Sequence, residues 1–268
     1  GRIAVADIGI DATSDLRLVE RPRLTAPDPD DHKYSRGLVT VVAGDMPGAS
    51  ALAAAAAQRA GAGAVRLQAR AFVSGVPAAV VQKPGDPLDR IDDQRIGALL
   101  LGPGLVGPEG RMLLKAALGC GHPLVLDAGA LNLLSGDGLP PLEDAILTPH
   151  EGEFERLFGT LPGSKVDQTR EAARRSGAVI VFKGPDTVVA APDGRAAIAP
   201  PATPWLASAG TGDVLSGIIA AMRAQGRDTF EAACAGIWLH GRAGELAGVG
   251  LIADDLITQL PVALSECL

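Results

Sequence analysis

The sequence predicts an α/β fold in three layers, a mainly parallel central sheet with helices on both faces, and two observations predict it. From GLVTVVAG (37–44) onward, short runs rich in β-branched residues and leucine alternate with longer helical ones, the pattern of strands joined by helical crossovers. The 268 residues are also 47% hydrophobic and 21% charged, with mean hydropathy +0.22, which suits one large globular domain. Aromatics are only 3%, so Ala, Val, Leu and Ile must build the core.

Taken in order, RIAVADIGI (2–10) reads as a strand. The DATSDLRLVERPRLTAPDPDD that follows is rich in Asp and Pro and has no core-facing period, so 1–31 is expected to be a tail and linker and 32–268 the folded domain. The strand at 37–44 leads into a small-residue helix, GASALAAAAAQRAGAG. AVRLQ, AAVVQK and GALLLG follow as strands, then a helix over 109–119, then PLVLDAG and AILTPH. The remainder reads as EGEFERLFG, a helix near 165–176, AVIVFKG, a hairpin TVVAAPDGRAAIA, and helices over 212–224, 229–247 and about 254–260. In open sheets of this kind ligands collect beyond the carboxyl ends of the strands, which directs attention to the residues just after each strand.

Charge and composition exclude several classes. A net charge of −7 and a pI near 5.1 argue against a groove for nucleic acid, which needs clustered Lys and Arg. Cys120, Cys234 and Cys267 are odd in number, far apart and never arranged as C-x-x-C, so neither a disulfide framework nor a zinc site is expected. No apolar run reaches the roughly 18 residues of a membrane span and no signal segment opens the chain; a cytoplasmic protein is expected. The start at Gly1 rather than Met suggests a fragment or processed product.

GPGLVG (102–107) satisfies G-x-G-x-x-G between a strand and a helix, with Asp127 further on, as in a dinucleotide fingerprint. Pro103 removes a backbone N–H from that loop and Glu109 puts an acid at the helix start, both unfavourable to a pyrophosphate. A glycine turn for close packing, or one whose backbone approaches another ligand, are the rival readings. No P-loop motif is present. A second phosphate site is offered by Gly210, Thr211 and Gly212 at a helix mouth, where first-turn N–H groups lack partners. Asp213 follows them, and its helix shows an apolar stripe of Val214, Leu215, Ile218, Ile219 and Met222. A carboxylate there gains ~0.3–1 kcal/mol from the helix dipole with no chemistry involved; it is either such a first-turn charge or a base.

SAGTGDVLSGIIAAMRAQG (208–226) resembles the anion-hole motif of ribokinase-like enzymes. Four further stretches in the same order resemble the ADP- or ATP-dependent NAD(P)H-hydrate dehydratases: DHKYSRGLVTVVAGDMPGASALAAAAAQRAGAG, LLLGPGL, LDAGALNLL with TPHEGEFERL, and VIVFKGPDTVVAAPDG. The resemblance runs from about Asp31 to the C-terminus. It implies a ribokinase-like three-layer sandwich that uses a nucleoside phosphate to dehydrate hydrated NADH or NADPH and restore the cofactor. It places Ala49, Gly104 and His150 against the hydrated nicotinamide nucleotide. Lys183, Gly184, Pro185, Asp186 and Thr187, with Gly210, Thr211 and Gly212, would hold ADP or ATP. Asp213 would take the proton from the hydrate hydroxyl, and Glu153 would help hold Mg²⁺ through water. A homo-oligomer is implied as well.

Each role has a simpler rival. His150 could satisfy backbone groups at its strand end, Lys183 could be an exposed strand-end charge, and Glu153 a solvated first-turn acid. Asp127 could orient the ligand loop or cap the next turn, and His240 is expected only to pack on its helix. Met46 stands where the family more often has an aromatic residue and Gly129 where it often has Asp. GRIAVADIGID resembles the last strand of a hydrate epimerase domain, so the chain is expected to be the dehydratase half of a bifunctional repair enzyme. The alternatives are a ribokinase-like kinase for a vitamin precursor and a non-catalytic nucleotide-binding module.

Overall fold

Alternation along the strands sets the architecture. In β2 (Leu38–Val42), Val39 and Val41 enter one apolar core while Leu38 and Val42 enter a second, because successive side chains of a strand point to opposite faces. A sheet buried on both faces follows. The computed structural model describes residues 14–135 and 139–268; the strand expected at 2–10 and the epimerase-like GRIAVADIGID lie outside them.

Among the described residues the sheet has ten strands: β1 (Leu16–Leu18), β2, β3 (Ala64–Gln68), β4 (Val81–Gln82), β5 (Ile96–Leu101), β6 (Leu124–Leu126), β7 (Ala145–Leu147), β8 (Val179–Phe182), β9 (Val188–Ala190) and β10 (Ala196–Ile198). Their order is β1-β10-β9-β8-β7-β6-β5-β2-β3-β4. From β8 through β4 every pairing is parallel, and β9 joins β8 and β10 antiparallel. Helices α1 (Pro47–Arg59), α6 (Thr211–Ala224), α7 (Thr229–Ala247) and α8 (Ala253–Ser265) cover one face. The other carries α2 (Gly107–Leu118), α3 (Ala128–Leu134), α4 (Glu151–Phe158) and α5 (Lys165–Ser176).

Strand order reverses between β2 and β5. The chain leaves β2 for α1 on one face and leaves β5 for α2 on the other, so the two loops diverge and open a crevice at the carboxyl edge of the sheet. This is the position at which the fold class places a ligand.

Three elements differ from the sequence expectation. Residues 1–31, read as tail and linker, contribute β1, which pairs in parallel with β10 at the sheet edge; one strand of three residues is too short to show a period. The apolar run ALNLL forms α3, which is too short for a helical pattern to stand out from that of a buried strand. The last helix, expected over about 254–260, continues through Pro261 to Ser265.

The low aromatic content has a structural counterpart. α1 and α6 pack backbone to backbone through small residues: a Cβ on Gly217 would lie 2.2 Å from the Ala53 carbonyl oxygen. Gly217→Ala should therefore destabilise the fold by about 1–3 kcal/mol. Urea unfolding of the variant beside the parent checks this, and an unchanged midpoint would mean that the helices can separate freely.

Candidate active site

The turn at the mouth of α6 is built for close approach. Gly210 is left-handed, at φ 86°, and packs against Leu52 and Ala253, which a side chain would disturb. The Thr211 hydroxyl donates within the turn to the Leu206 and Ser208 carbonyls. Beyond it Gly212 leaves room for Lys183, whose Nζ would be 3.6 Å from a Cβ at that position. Lys183 follows β8 and donates to Asp127 Oδ1, which follows β6, at 2.9 Å; its Nζ is 4.0 Å from Glu153 Oε2 at the start of α4. Two strand ends and two helix mouths thus converge on a single ammonium.

The KGPDT segment closes on itself. The Thr187 hydroxyl donates to the Gly184 carbonyl and accepts from the Gly184 N–H. Asp186 turns away to Lys165 at 2.7 Å, which keeps its charge from an incoming phosphate. Lys183, Gly184, Thr187, Thr211 and Gly212 line a cavity of about 800 Å³, within the ~300–1,000 Å³ of small-molecule sites. Gly210 sits behind this wall and Asp186 points out of it.

Ala49 and Gly104 come together on the other side of the crevice. Gly104, at φ 75°, packs its backbone on Met46. The Ala49 N–H donates to the Met46 carbonyl, and the Ser50 hydroxyl donates to the Pro103 carbonyl. Gly102 and Gly104 of GPGLVG therefore serve close packing: a Cβ on Gly102 would lie 1.7 Å from the Asp127 carbonyl oxygen. Gly129 is equally confined, with a Cβ falling 1.9 Å from the Leu105 carbonyl oxygen, so no side chain has room there. His150 is exposed and caps α4, its Nδ1 accepting from the Gly152 and Glu153 N–H groups. Glu153 Oε2 returns the bond from the His150 N–H at 2.9 Å. Among the described residues no group of three or more His, Cys, Asp or Glu side chains is arranged to hold a metal. Glu153 is engaged as a cap, so a Mg²⁺ ion held here would reach it through water.

Residues 39–261 match the family model described as NAD(P)H-hydrate dehydratase. The chain belongs to the NAD(P)H-hydrate dehydratase family. It is 40% identical over 253 residues to the ADP-dependent (S)-NAD(P)H-hydrate dehydratase of Neisseria meningitidis, covering 85% of this chain and 84% of that one. It is 36% identical over 312 residues to the bifunctional NAD(P)H-hydrate repair enzyme of Salinibacter ruber, covering 99% of this chain but only 57% of that protein's length. The structure matches that of the ADP/ATP-dependent NAD(P)H-hydrate dehydratase of Bacillus subtilis, co-crystallized with ATP/Mg²⁺, at a TM-score of 0.81 and 31% identity over 92% of this chain and 95% of the other. The ribokinase-like fold expected from the sequence is the fold found, and the kinase alternative is not favoured.

In this dehydratase-family chain the electrostatics single out Asp213. Burial, and then the charge of Asp127, push its carboxyl up to about 6, against the pull of Lys183. Lys183 itself is disfavoured by burial, yet Asp127, with Glu153 and Asp213, raises its pKa above the usual lysine value. Asp127 neither caps α3 nor stays free; it holds Lys183, a role the sequence reading did not assign. Both residues directly follow strands, so their shared edge was a usable signal. His240, expected only to pack, places Nε2 2.9 Å from the Thr211 carbonyl. Burial pushes its imidazole down to about 4, so at neutral pH it is an uncharged donor bracing the turn. No pattern in the sequence pointed to Lys165, which faces Asp186, the Lys183 carbonyl and the Phe182 ring.

A raised carboxyl pKa has a definite sign in stability. The folded chain holds the Asp213 proton up to about pH 6, the unfolded chain only to about 3.8. Stability from this group is thus complete below the lower value and lost as pH rises through the upper. Asp213→Asn should stabilise the fold at pH 7.5 by about 1–2 kcal/mol, after discounting for partial exposure, and leave it unchanged near pH 3.5. Urea titrations at the two pH values read the difference. A carboxylate serving only its helix would give the opposite sign, a loss of up to ~1 kcal/mol.

Proposed function

We propose that this chain dehydrates the S-epimer of hydrated NADH or NADPH, with ADP or ATP as phosphoryl donor. The observation that carries the reading is Asp213: a carboxylate with a pKa of about 6, beside Lys183, at the mouth of a helix that opens on Gly210, Thr211 and Gly212. The named activities of the Neisseria meningitidis and Bacillus subtilis relatives support it.

In this reading the large cavity receives the nucleotide. Lys183 and the first-turn N–H groups of α6 face its terminal phosphates, and the closed Gly184 to Thr187 turn supports the nucleoside end. Ala49, Gly104 and His150 contact the hydrated nicotinamide nucleotide. A carboxylate oxygen of Asp213 accepts the proton of the hydrate hydroxyl as that oxygen attacks the terminal phosphorus. The nucleotide leaves one phosphoryl group shorter. Phosphate then departs from the ring carbon, the adjacent proton is lost, and the double bond re-forms, so a poor leaving group has been replaced by a good one. Mg²⁺ on the nucleotide phosphates, with Glu153 reaching it through water, would supply charge neutralisation. Catalysis by the chain itself is positioning and electrostatic stabilisation.

The reading extends to the whole protein. Similarity to bifunctional repair enzymes nearly twice the length of the matched region supports a hydrate epimerase domain as partner to this one. A cytoplasmic homo-oligomer completes it, with Cys120, Cys234 and Cys267 free.

The test is incubation with ADP or ATP and hydrated NADH, following the return of reduced-nicotinamide absorbance. Asp213→Asn should lower kcat by about 10²- to 10⁴-fold while the protein stays folded. In the parent, activity should fall as pH drops through about 6, where Asp213 takes up a proton. Accumulation of a stable phosphorylated product in place of the reduced cofactor would sink the dehydratase reading.

A further inference from the structure

Lys165, the first residue of α5, is placed against the ordinary preference of a helix. A first turn carries partial positive charge and favours acids over cations. Its own helix already has an acid there, Asp167, in a capping box with Ser164. Nor does the side chain escape to water, being only 20% exposed. What holds the ammonium lies outside α5. Nζ donates to Asp186 Oδ1 at 2.7 Å and to the Lys183 carbonyl at 3.3 Å, and it stands 4.5 Å from the centre of the Phe182 ring, within the range of a cation–π contact. Phe182 in turn is stacked on Phe154 of α4, with 4.0 Å between ring centres. All three contacts of the ammonium belong to the end of β8 and the turn after it.

That turn forms a wall of the large cavity. Lys183 is held there at three points: its N–H donates to the Pro149 carbonyl, its Nζ to Asp127, and its carbonyl accepts from Lys165. Gly184 follows at φ 154°, and its missing side chain is what admits the ammonium. A Cβ there would lie 2.6 Å from Lys165 Nζ and 3.4 Å from Asp186 Oδ1. The Lys165–Asp186 pair is thus packed on the back of the glycine whose other side faces the cavity.

Charge gives the pair a purpose. Asp127, Glu153 and Asp213 already act on Lys183, Asp186 is a fourth carboxylate close by, and a nucleoside phosphate brings further negative charge. One ammonium cannot compensate them all. The hydrogen bond from Lys165 holds the Asp186 carboxyl below the usual aspartate value, so that acid stays ionised, paired and turned away.

We propose that Lys165 is a positioning residue for the phosphoryl donor: without lining the cavity, it shapes the turn from Lys183 to Thr187 and cancels the charge of Asp186, so that the nucleotide phosphates are admitted. This rests on the nucleotide reading of the large cavity. The test is calorimetric titration of ADP, and of ATP with Mg²⁺, into the parent, Lys165→Met and the double variant Lys165→Met/Asp186→Asn, beside steady-state kinetics on hydrated NADH. Met keeps the length of the side chain and its contact with Phe182 but loses the charge. Lys165→Met should raise the nucleotide Kd about 10-fold, as for a turn that holds its binding shape only about a tenth of the time. In kinetics the loss should fall on the nucleotide KM, while kcat at saturating nucleotide and the KM for hydrated NADH are held, a split that general loosening of the fold would not give. The double variant should return to within about 3-fold of the parent, because the two residues act as a coupled pair. Unchanged nucleotide affinity in Lys165→Met, or a double variant that binds no better than Lys165→Met, would overturn the proposal. Binding of neither nucleotide by the parent would overturn the nucleotide reading itself, and the proposal with it.

Discussion

The buried pairing of Lys183 with Asp127 is the constraint on which the site depends. An ammonium drawn out of water at the end of a strand is costly unless paired, and Asp127, 1% exposed, is equally costly alone. Each makes the other tolerable. Their bond at 2.9 Å ties the ends of β6 and β8 across the intervening β7, and it fixes one positive charge within reach of Glu153 and Asp213. Three carboxylates around one ammonium leave the cluster short of positive charge. Asp213 is the member with no ion-pair contact of its own among the described residues, and burial, with the charge of Asp127 adding to it, raises its pKa.

That arrangement also explains why the backbone nearby is so constrained. Asp127 can face Lys183 only if the chain turns sharply after β6, and Ala128 is held at φ 44° to do so, an unfavourable conformation for a residue with a Cβ. The carbonyl of Asp127 then presses on Gly102 and the Gly129 N–H donates to the Gly102 carbonyl. The loop proposed to meet the nicotinamide is therefore packed directly on the residue that holds Lys183, the proposed phosphate partner. The two halves of the site share one scaffold.

The fold was legible because alternation and strand punctuation are local signals. Strands such as GLVTVVAG and AVIVFKG, and the stripe of α6, could be read without a partner. What escaped were features decided at a distance: β1 exists because β10 offers a parallel edge, and α3 because it is buried between α2 and α4. The same division holds for the candidate site. Glycine turns and a lysine after a strand are visible in a motif, but which carboxylate meets that lysine depends on strand order, and the brace from His240 to the Thr211 carbonyl crosses from α7 to α6.

Asp213 itself could not be settled by its motif, and comparison with the other helices of the chain shows why it differs. Six helices among the described residues carry an acid at the third position. Glu153, Asp167 and Asp255 each accept the N–H of their own helix cap. Glu109 is engaged by Arg70 and Glu231 by Arg17. Only Asp213 has neither kind of partner. Its cap is Gly210 in a left-handed turn, which directs the turn toward the crevice, and the first-turn charge that elsewhere in this molecule is spent on helix or surface is left facing Lys183. A carboxylate so placed is raised by burial instead of being lowered by hydrogen bonds. A pKa near 6 leaves it ionised at neutral pH and more basic than an ordinary Asp, and those two properties together are what a general base requires.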